Sequence, residues 1–145
     1  MEIREYDGKQ LGSIFKINQT CHAKPQSNVE LLEQVHKGQL WMALVDDKVV
    51  GFLLSTYKEG PYIYNIAVLP EYRNKGVATA LINKCNECYK GQDFTYLYVD
   101  VNNPAQKLYF DLGYRVKSIK EDFYGRMQDA LVMVKSLGNN TSDPR

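Results

Sequence analysis

One junction constrains this chain more than any other stretch. Residues 62–69, YIYNIAVL, are aromatic and β-branched, the composition of a strand. Pro70 ends the run. Arg73, Asn74, Lys75 and Gly76 follow, and Leu81 and Ile82 then continue an apolar helical pattern out to about Tyr89. A strand that turns directly into a helix leaves the first helical N–H groups without intrahelical partners, at the positive end of the helix dipole. Anions settle at such ends. Gly76 and Ala78 remove side-chain bulk there, and Arg73 and Lys75 add charge. The bland reading is a βα turn with a solvated basic edge; the sharper one is an anion cradle.

The rest of the chain predicts a mixed sheet with helices packed on it. Residues 2–6 alternate as a short strand. Residues 8–20 place Leu11, Ile14, Phe15 and Asn18 on one helical face. Residues 27–37 form a clearer helix, with Ser27 and Glu30 at capping-box spacing and Gly38 placed to end it. CHAKPQS between these helices reads as a loop, because Pro25 disfavours helix at Lys24. Residues 40–46 and 48–58 read as a hairpin turning at Asp46-Asp47. After the 62–69 strand and the 71–89 helix come a strand at 94–101, a short helix at 103–113 and two strands at 114–123 and 130–137. The order is β-α-α-β-β-β-α-β-α-β-β, an α+β (α/β mixed) fold with about four helices. Residues 1–137 are expected to form a single domain, and the polar residues 138–145 a frayed tail.

Composition excludes several function classes. Hydrophobic residues are 44% and charged residues 24% of 145, and the formal charge is +1. That balance is ordinary for a globular domain and supplies no strong field for phosphate backbones, so no nucleic-acid partner is expected. No apolar run approaches a membrane span, and the charged amino terminus is unlike a signal peptide, so neither membrane association nor export is expected. The three cysteines, Cys21, Cys85 and Cys88, cannot all pair with one another, which suggests free thiols in a reducing cytoplasm. CNEC (85–88) has redox spacing, but it lies late in a helical pattern, not at a helix N-terminus where a thiolate is stabilised. With Cys21, His22 or His36 it lacks a second spaced ligand pair, so no metal site is expected. The nucleotide-kinase loop and the dinucleotide glycine fingerprint are both missing.

The junction together with one later stretch resembles the GCN5-related N-acetyltransferase (GNAT) superfamily. IAVLPEYRNKGVATALI is similar to that family's coenzyme A signature, and VNNPAQKLYFDLGY (101–114) to its second motif. The element order agrees from first strand to last. The resemblance implies a GNAT-like central sheet and acetyl-CoA, with no metal, in a cleft between two splayed parallel strands, here 62–69 and 94–101. It implies coenzyme contacts from Ile66, Ala67, Val68, Arg73, Asn74, Lys75, Gly76, Val77, Ala78 and Thr79. From the second motif it implies Asn102 or Asn103, Ala105 and Tyr109. Counting back from Tyr109 selects Asn102; counting forward along LYVDVNN selects Asn103.

The implied reaction is direct attack of a primary amine on the thioester. The Val68 backbone N–H is the implied oxyanion donor. Tyr109, from the family's Leu-Tyr pair, is the implied acid for the leaving thiolate; a packing role for its ring is the other reading. Tyr62 matches a tyrosine that positions water in one subfamily. The strand position where amino-terminal acetyltransferases often place an acidic or His base is Tyr98 here, and Glu59, Asp100 and Glu121 are nearby carboxylates, so the base stays open. DFYGRMQDALVM (122–133) is similar to the end of ribosomal-protein amino-terminal acetyltransferases, whose tyrosine pair becomes Phe123-Tyr124. The acceptor is either a peptide amino terminus or a small metabolite amine, and the protein a monomer or homodimer. A non-catalytic acyl-CoA-binding module is the alternative from another class.

Overall fold

The computed structural model describes residues 1–125 and 128–138. The predicted tail beyond Gly138, and Arg126-Met127 within the 122–133 stretch, lie outside the described residues. The element order is the expected one: β1 (Glu2–Glu5), α1 (Leu11–Cys21), α2 (Asn28–Lys37), β2 (Gln39–Val45), β3 (Lys48–Tyr57), β4 (Pro61–Val68), α3 (Val77–Cys88), β5 (Phe94–Asp100), α4 (Gln106–Asp111), β6 (Arg115–Lys120) and β7 (Ala130–Ser136). The seven strands form one mixed sheet in the order β1-β2-β3-β4-β5-β7-β6.

By contact density the described residues divide into two compact units, Met1–Thr56 with Tyr64–Glu87, and Tyr57–Ile63 with those from Cys88 onward. In the first unit β1, β2 and β3 are joined antiparallel, and Asp46 (φ 50°) and Asp47 (φ 63°) make the left-handed turn of the β2–β3 hairpin. Its core gathers Ile14 and Ile17 of α1, Leu31 and Val35 of α2, Leu40 and Met42 of β2, Phe52 and Leu54 of β3 and Ala67 of β4. The serine half of the expected capping box forms: Ser27 Oγ accepts from the Glu30 N–H at 3.2 Å and donates to Glu30 Oε1 at 3.1 Å.

Gly38 ends α2 for a different reason from the one its position suggests. Its φ is −121°, extended backbone open to any residue, and its N–H bonds the Gln34 carbonyl. Space makes glycine necessary: a Cβ there would sit 2.1 Å from the Ser55 carbonyl oxygen.

In the second unit β5 pairs parallel with the start of β4 and antiparallel with β7, and β7 with β6. Tyr114 is fully buried, and its hydroxyl shares a 2.8 Å hydrogen bond with Thr95 Oγ1. The β4–β5 ladder consists of two pairs, Tyr62↔Tyr96 and Ile63↔Leu97, and runs no further.

Two helices are shorter than the sequence predicts. The expected 71–89 helix is a 3-10 turn at Pro70–Tyr72, then a loop, and only from Val77 a true helix. Left-handed Asn74 (φ 61°) and Gly76 (φ 83°) in that loop break the helical path. The expected 103–113 helix begins with i→i+3 bonds, Gln106 N–H to Asn103 and Lys107 N–H to Pro104, before α4 proper.

Gly38→Ala is expected to destabilise the fold by about 1–3 kcal/mol in denaturant unfolding, through overpacking against the Ser55 carbonyl. Gly91→Ala, where an added Cβ meets nothing within 4 Å, should stay within about 0.5 kcal/mol of the parent.

Candidate active site

The first unit carries the junction, and backbone bonding at the end of β4 sets its geometry. The Leu69 N–H donates to the Val50 carbonyl of β3 at 2.9 Å. Successive N–H groups of a strand point to opposite edges, so the Val68 N–H points away from β3, toward the other edge of β4. The Val68 carbonyl is doubly engaged: Arg73 Nε donates to it at 2.9 Å and Cys21 Sγ at 3.4 Å. Arg73 therefore ties the loop back to β4 with one donor and has the rest of its guanidinium exposed.

Past Arg73 the loop opens into α3. The first intrahelical bond runs from the Ala80 N–H to the Gly76 carbonyl, which leaves the N–H groups of Val77, Ala78 and Thr79 without helical acceptors. A Cβ on Gly76 would meet nothing within 4 Å, so the space in front of these groups is open. Lys75 is exposed, its ammonium 5.8 Å from the centre of the Tyr72 ring, and Lys48 approaches the same ring at 5.7 Å. Free N–H groups, open space and exposed cations suit a pyrophosphate: the residues present fit the phosphate end of a coenzyme A molecule.

The second unit holds the other motif. Asn103 Oδ1 accepts from the Ala105 N–H at 2.9 Å, so this side chain caps the turn leading to α4. The Asn102 N–H bonds Asp100 Oδ1 at 2.8 Å, while its exposed side chain bonds no described residue. Of the two candidates, Asn102 has the uncommitted amide. Tyr109 is 7% exposed and lies edge-on to Tyr114, ring centres 6.2 Å apart. Burial, then the Tyr114 phenol, pushes its hydroxyl up to about 12. That hydroxyl bonds no described residue, yet it is not among the sealed polar atoms.

An aromatic layer covers one side of this unit. Tyr62 stacks on Tyr96 at 4.9 Å and meets Tyr98 at 5.5 Å; Tyr98 meets Phe123 edge-on at 4.7 Å, and Phe123 meets Tyr124 at 5.0 Å. Tyr62 is thus embedded among rings. Burial first, then Asp100, Tyr109 and Tyr98, push the Tyr124 phenol up to about 12, so the Phe123-Tyr124 pair brings a second phenol toward Tyr109. A groove of about 590 Å³ opens beside α4, lined by Asn102, Gln106, Lys107 and Phe110 among others, but Tyr109 does not line it. In α3, Cys85 is buried and Cys88 exposed, and neither is in a disulfide.

One group of residues was not legible in the sequence. In the first unit His22 Nε2 lies 2.8 Å from Asn65 Oδ1, Asn65 Nδ2 donates to Asn18 Oδ1 at 3.0 Å, and Asn18 Nδ2 donates to the Gln26 carbonyl at 3.4 Å. The Gln26 side chain also donates to the Tyr64 hydroxyl. Asn18 is fully buried. Its place on the apolar face of α1 was the one available signal.

These two sites define a class. The profile of the acetyltransferase (GNAT) family matches residues 6–114, and the chain belongs to that family. It is an N-acetyltransferase with the mixed α+β fold of that family. Among its relatives, an N-alpha-acetyltransferase of Saccharolobus solfataricus is 32% identical over 114 residues, covering 67% of this chain and 68% of the relative. A [ribosomal protein bS18]-alanine N-acetyltransferase of Haemophilus ducreyi is 26% identical over 133 residues, covering 86% and 92%. The crystal structure of the ribosomal-protein-S18-alanine N-acetyltransferase from Escherichia coli superposes with a TM-score of 0.86 at 23% identity, covering 99% of this chain and 97% of that one.

Two outcomes follow for coenzyme and acid. Gly76→Glu should weaken acetyl-CoA binding about 10–100-fold beyond Gly76→Ala, measured by calorimetry, because loss of a charge-assisted hydrogen bond costs about 1.5–3 kcal/mol. Gly76→Ala reports the backbone strain at φ 83° alone. For Tyr109, the unfolded phenol ionises near 10 and the folded one near 12. Its neutral form is therefore favoured by folding; that stability is complete below pH 10 and is lost as pH rises toward 12. Tyr109→Phe should remove on the order of 2–3 kcal/mol of the alkaline loss between those limits in pH-dependent unfolding.

Proposed function

We propose that the protein transfers the acetyl group of acetyl-CoA to the amino terminus of a peptide. The observation that carries this reading is the end of β4: an N–H at Val68 on an unpaired strand edge, followed by the open start of α3. The coenzyme supplies an activated acetyl thioester. In this reading the N–H groups of Val77, Ala78 and Thr79 bind its pyrophosphate, with Lys75 and Arg73 adding charge. Ile66, Ala67 and Val68 of the strand edge hold the pantetheine arm, and Asn74 shapes the loop through its left-handed backbone. The Val68 N–H donates to the oxygen on which negative charge builds, and fixed donors of this kind are worth about 3–4 kcal/mol. Asn102 and the small Ala105 line the arm on the second motif, and Asn103 acts through the cap.

Tyr109 protonates the departing thiolate. A phenol held near 12 stays protonated throughout the neutral range, so it is available as an acid whenever the coenzyme is bound. Tyr62, inside the aromatic layer, orders water at that face. The peptide acceptor is favoured over a small metabolite amine by the relatives that act on amino termini. One functional domain is proposed, because the family match at 6–114 runs through both compact units. A cytoplasmic setting fits three cysteines that form no disulfide.

A panel of hexapeptides with free amino termini tests this reading. The expected result is thiol release from acetyl-CoA that requires the peptide and is stoichiometric with amino-terminal acetylation by mass spectrometry. Coenzyme binding without amine-dependent thiol release would instead indicate a non-catalytic acyl-CoA-binding module.

A further inference from the structure

The base that takes the acceptor's proton is absent from the strand position where the sequence led one to look, since Tyr98 stands there. The geometry of the first unit points elsewhere: we infer that His22 is the general base, with Nδ1 as the accepting atom. This inference rests on the acetyl-transfer reading and names a further residue for it.

The argument is one of direction. A backbone carbonyl can only accept a hydrogen bond. The chain of amides ends on one, the Gln26 carbonyl, so Asn18 must present Nδ2 to it. Asn18 then presents Oδ1 to Asn65, which must answer with Nδ2. That orientation leaves Asn65 Oδ1 facing His22, and an amide oxygen accepts only. The hydrogen in the 2.8 Å contact therefore belongs to His22 Nε2. In a neutral imidazole with Nε2–H, the lone pair is on Nδ1. Nδ1 bonds no described residue and is not among the sealed polar atoms, so its lone pair is accessible.

Two further observations fit a base and not simple structural polarity. The chain places a fully buried asparagine and a half-buried one inside an apolar face to orient a single ring. Buried polar networks are costly unless satisfied, and here the side-chain amide nitrogen and oxygen of both Asn18 and Asn65 each have a partner, while the imidazole Nδ1 bonds no described residue. The ring also stands where acyl transfer is proposed. Cys21, the residue before it, donates to the Val68 carbonyl, and Asn65 lies three residues before Val68 on the same strand. The proposed step balances: the ammonium proton passes to Nδ1 and the freed nitrogen pair forms the C–N bond. The C–S pair leaves with sulfur, which is protonated by the acid of the proposed reaction; the second proton shed by the acylated nitrogen restores that acid through water, and His22 returns its own proton to water.

His22→Gln tests the assignment, since the Gln amide keeps a donor for Asn65 and has no basic nitrogen; His22→Asn is the second variant should the first fold poorly. Two probes are compared: the panel hexapeptide that the parent acetylates fastest, and the same peptide with an aminooxy group replacing its α-amine. The aminooxy group is unprotonated at neutral pH and needs no base to become a nucleophile. The expected result is a loss of kcat of about 100–10,000-fold on the amine, with unchanged acetyl-CoA affinity and unchanged turnover of the aminooxy probe. An unaltered rate on the amine, or an equal loss on both probes, would overturn the base and leave His22 as a structural residue. A parent protein that acetylates no panel peptide would instead overturn the acceptor reading on which the inference rests.

Discussion

The backbone of Val68 is the point on which the candidate site depends. Three separate segments fix it: β3 through the Val50–Leu69 bond, α1 through the Cys21 thiol, and the following loop through Arg73 Nε. With its carbonyl held from two sides and the next N–H committed to β3, the Val68 N–H has one direction left. That direction is the edge of β4 opposite β3. A strand edge inside a sheet normally finds a partner, because an unpaired buried N–H is expensive. An open edge next to a helix start has donors that suit a ligand rich in acceptors.

The same bonding explains why the loop after β4 has to be irregular. A helix starting at Glu71 would carry Arg73 away from the Val68 carbonyl and cover the first turn of α3. A 3-10 turn, a left-handed Asn74 and a left-handed Gly76 return Arg73 to the strand and release the N–H groups at Val77 to Thr79. Sequence periodicity could not see this, because Glu71, Tyr72 and Asn74 are all compatible with helix; the left-handed Asn74 and Gly76 and the remote bond from Arg73 to Val68 interrupt it.

Much of the fold was readable because local chemistry and global position agree. The two strand-like runs turning at Asp46-Asp47, the Ser27–Glu30 box and the aromatic strand at 94–101 each carry their own signal, and each element forms where that signal lies. Legibility failed wherever the deciding contact was remote in sequence. Gly38 reads as a left-handed helix cap but is required by the Ser55 carbonyl. Asn102 and Asn103 are indistinguishable by spacing until one is found bonded to Ala105. Tyr109 reads as an ordinary phenol until burial against Tyr114 is known. His22 and Asn65 are 43 residues apart, and nothing in either segment announces the other.

If the end of β4 and the start of α3 form the coenzyme site, amide resonances will report it directly. Titration of the isotope-labelled protein with acetyl-CoA, followed by nitrogen–proton correlation spectra, should shift the N–H signals of Val68, Val77, Ala78 and Thr79 most strongly. Shifts that spare these four and gather instead around Gln106, Lys107 and Phe110, in the groove beside α4, would contradict the account.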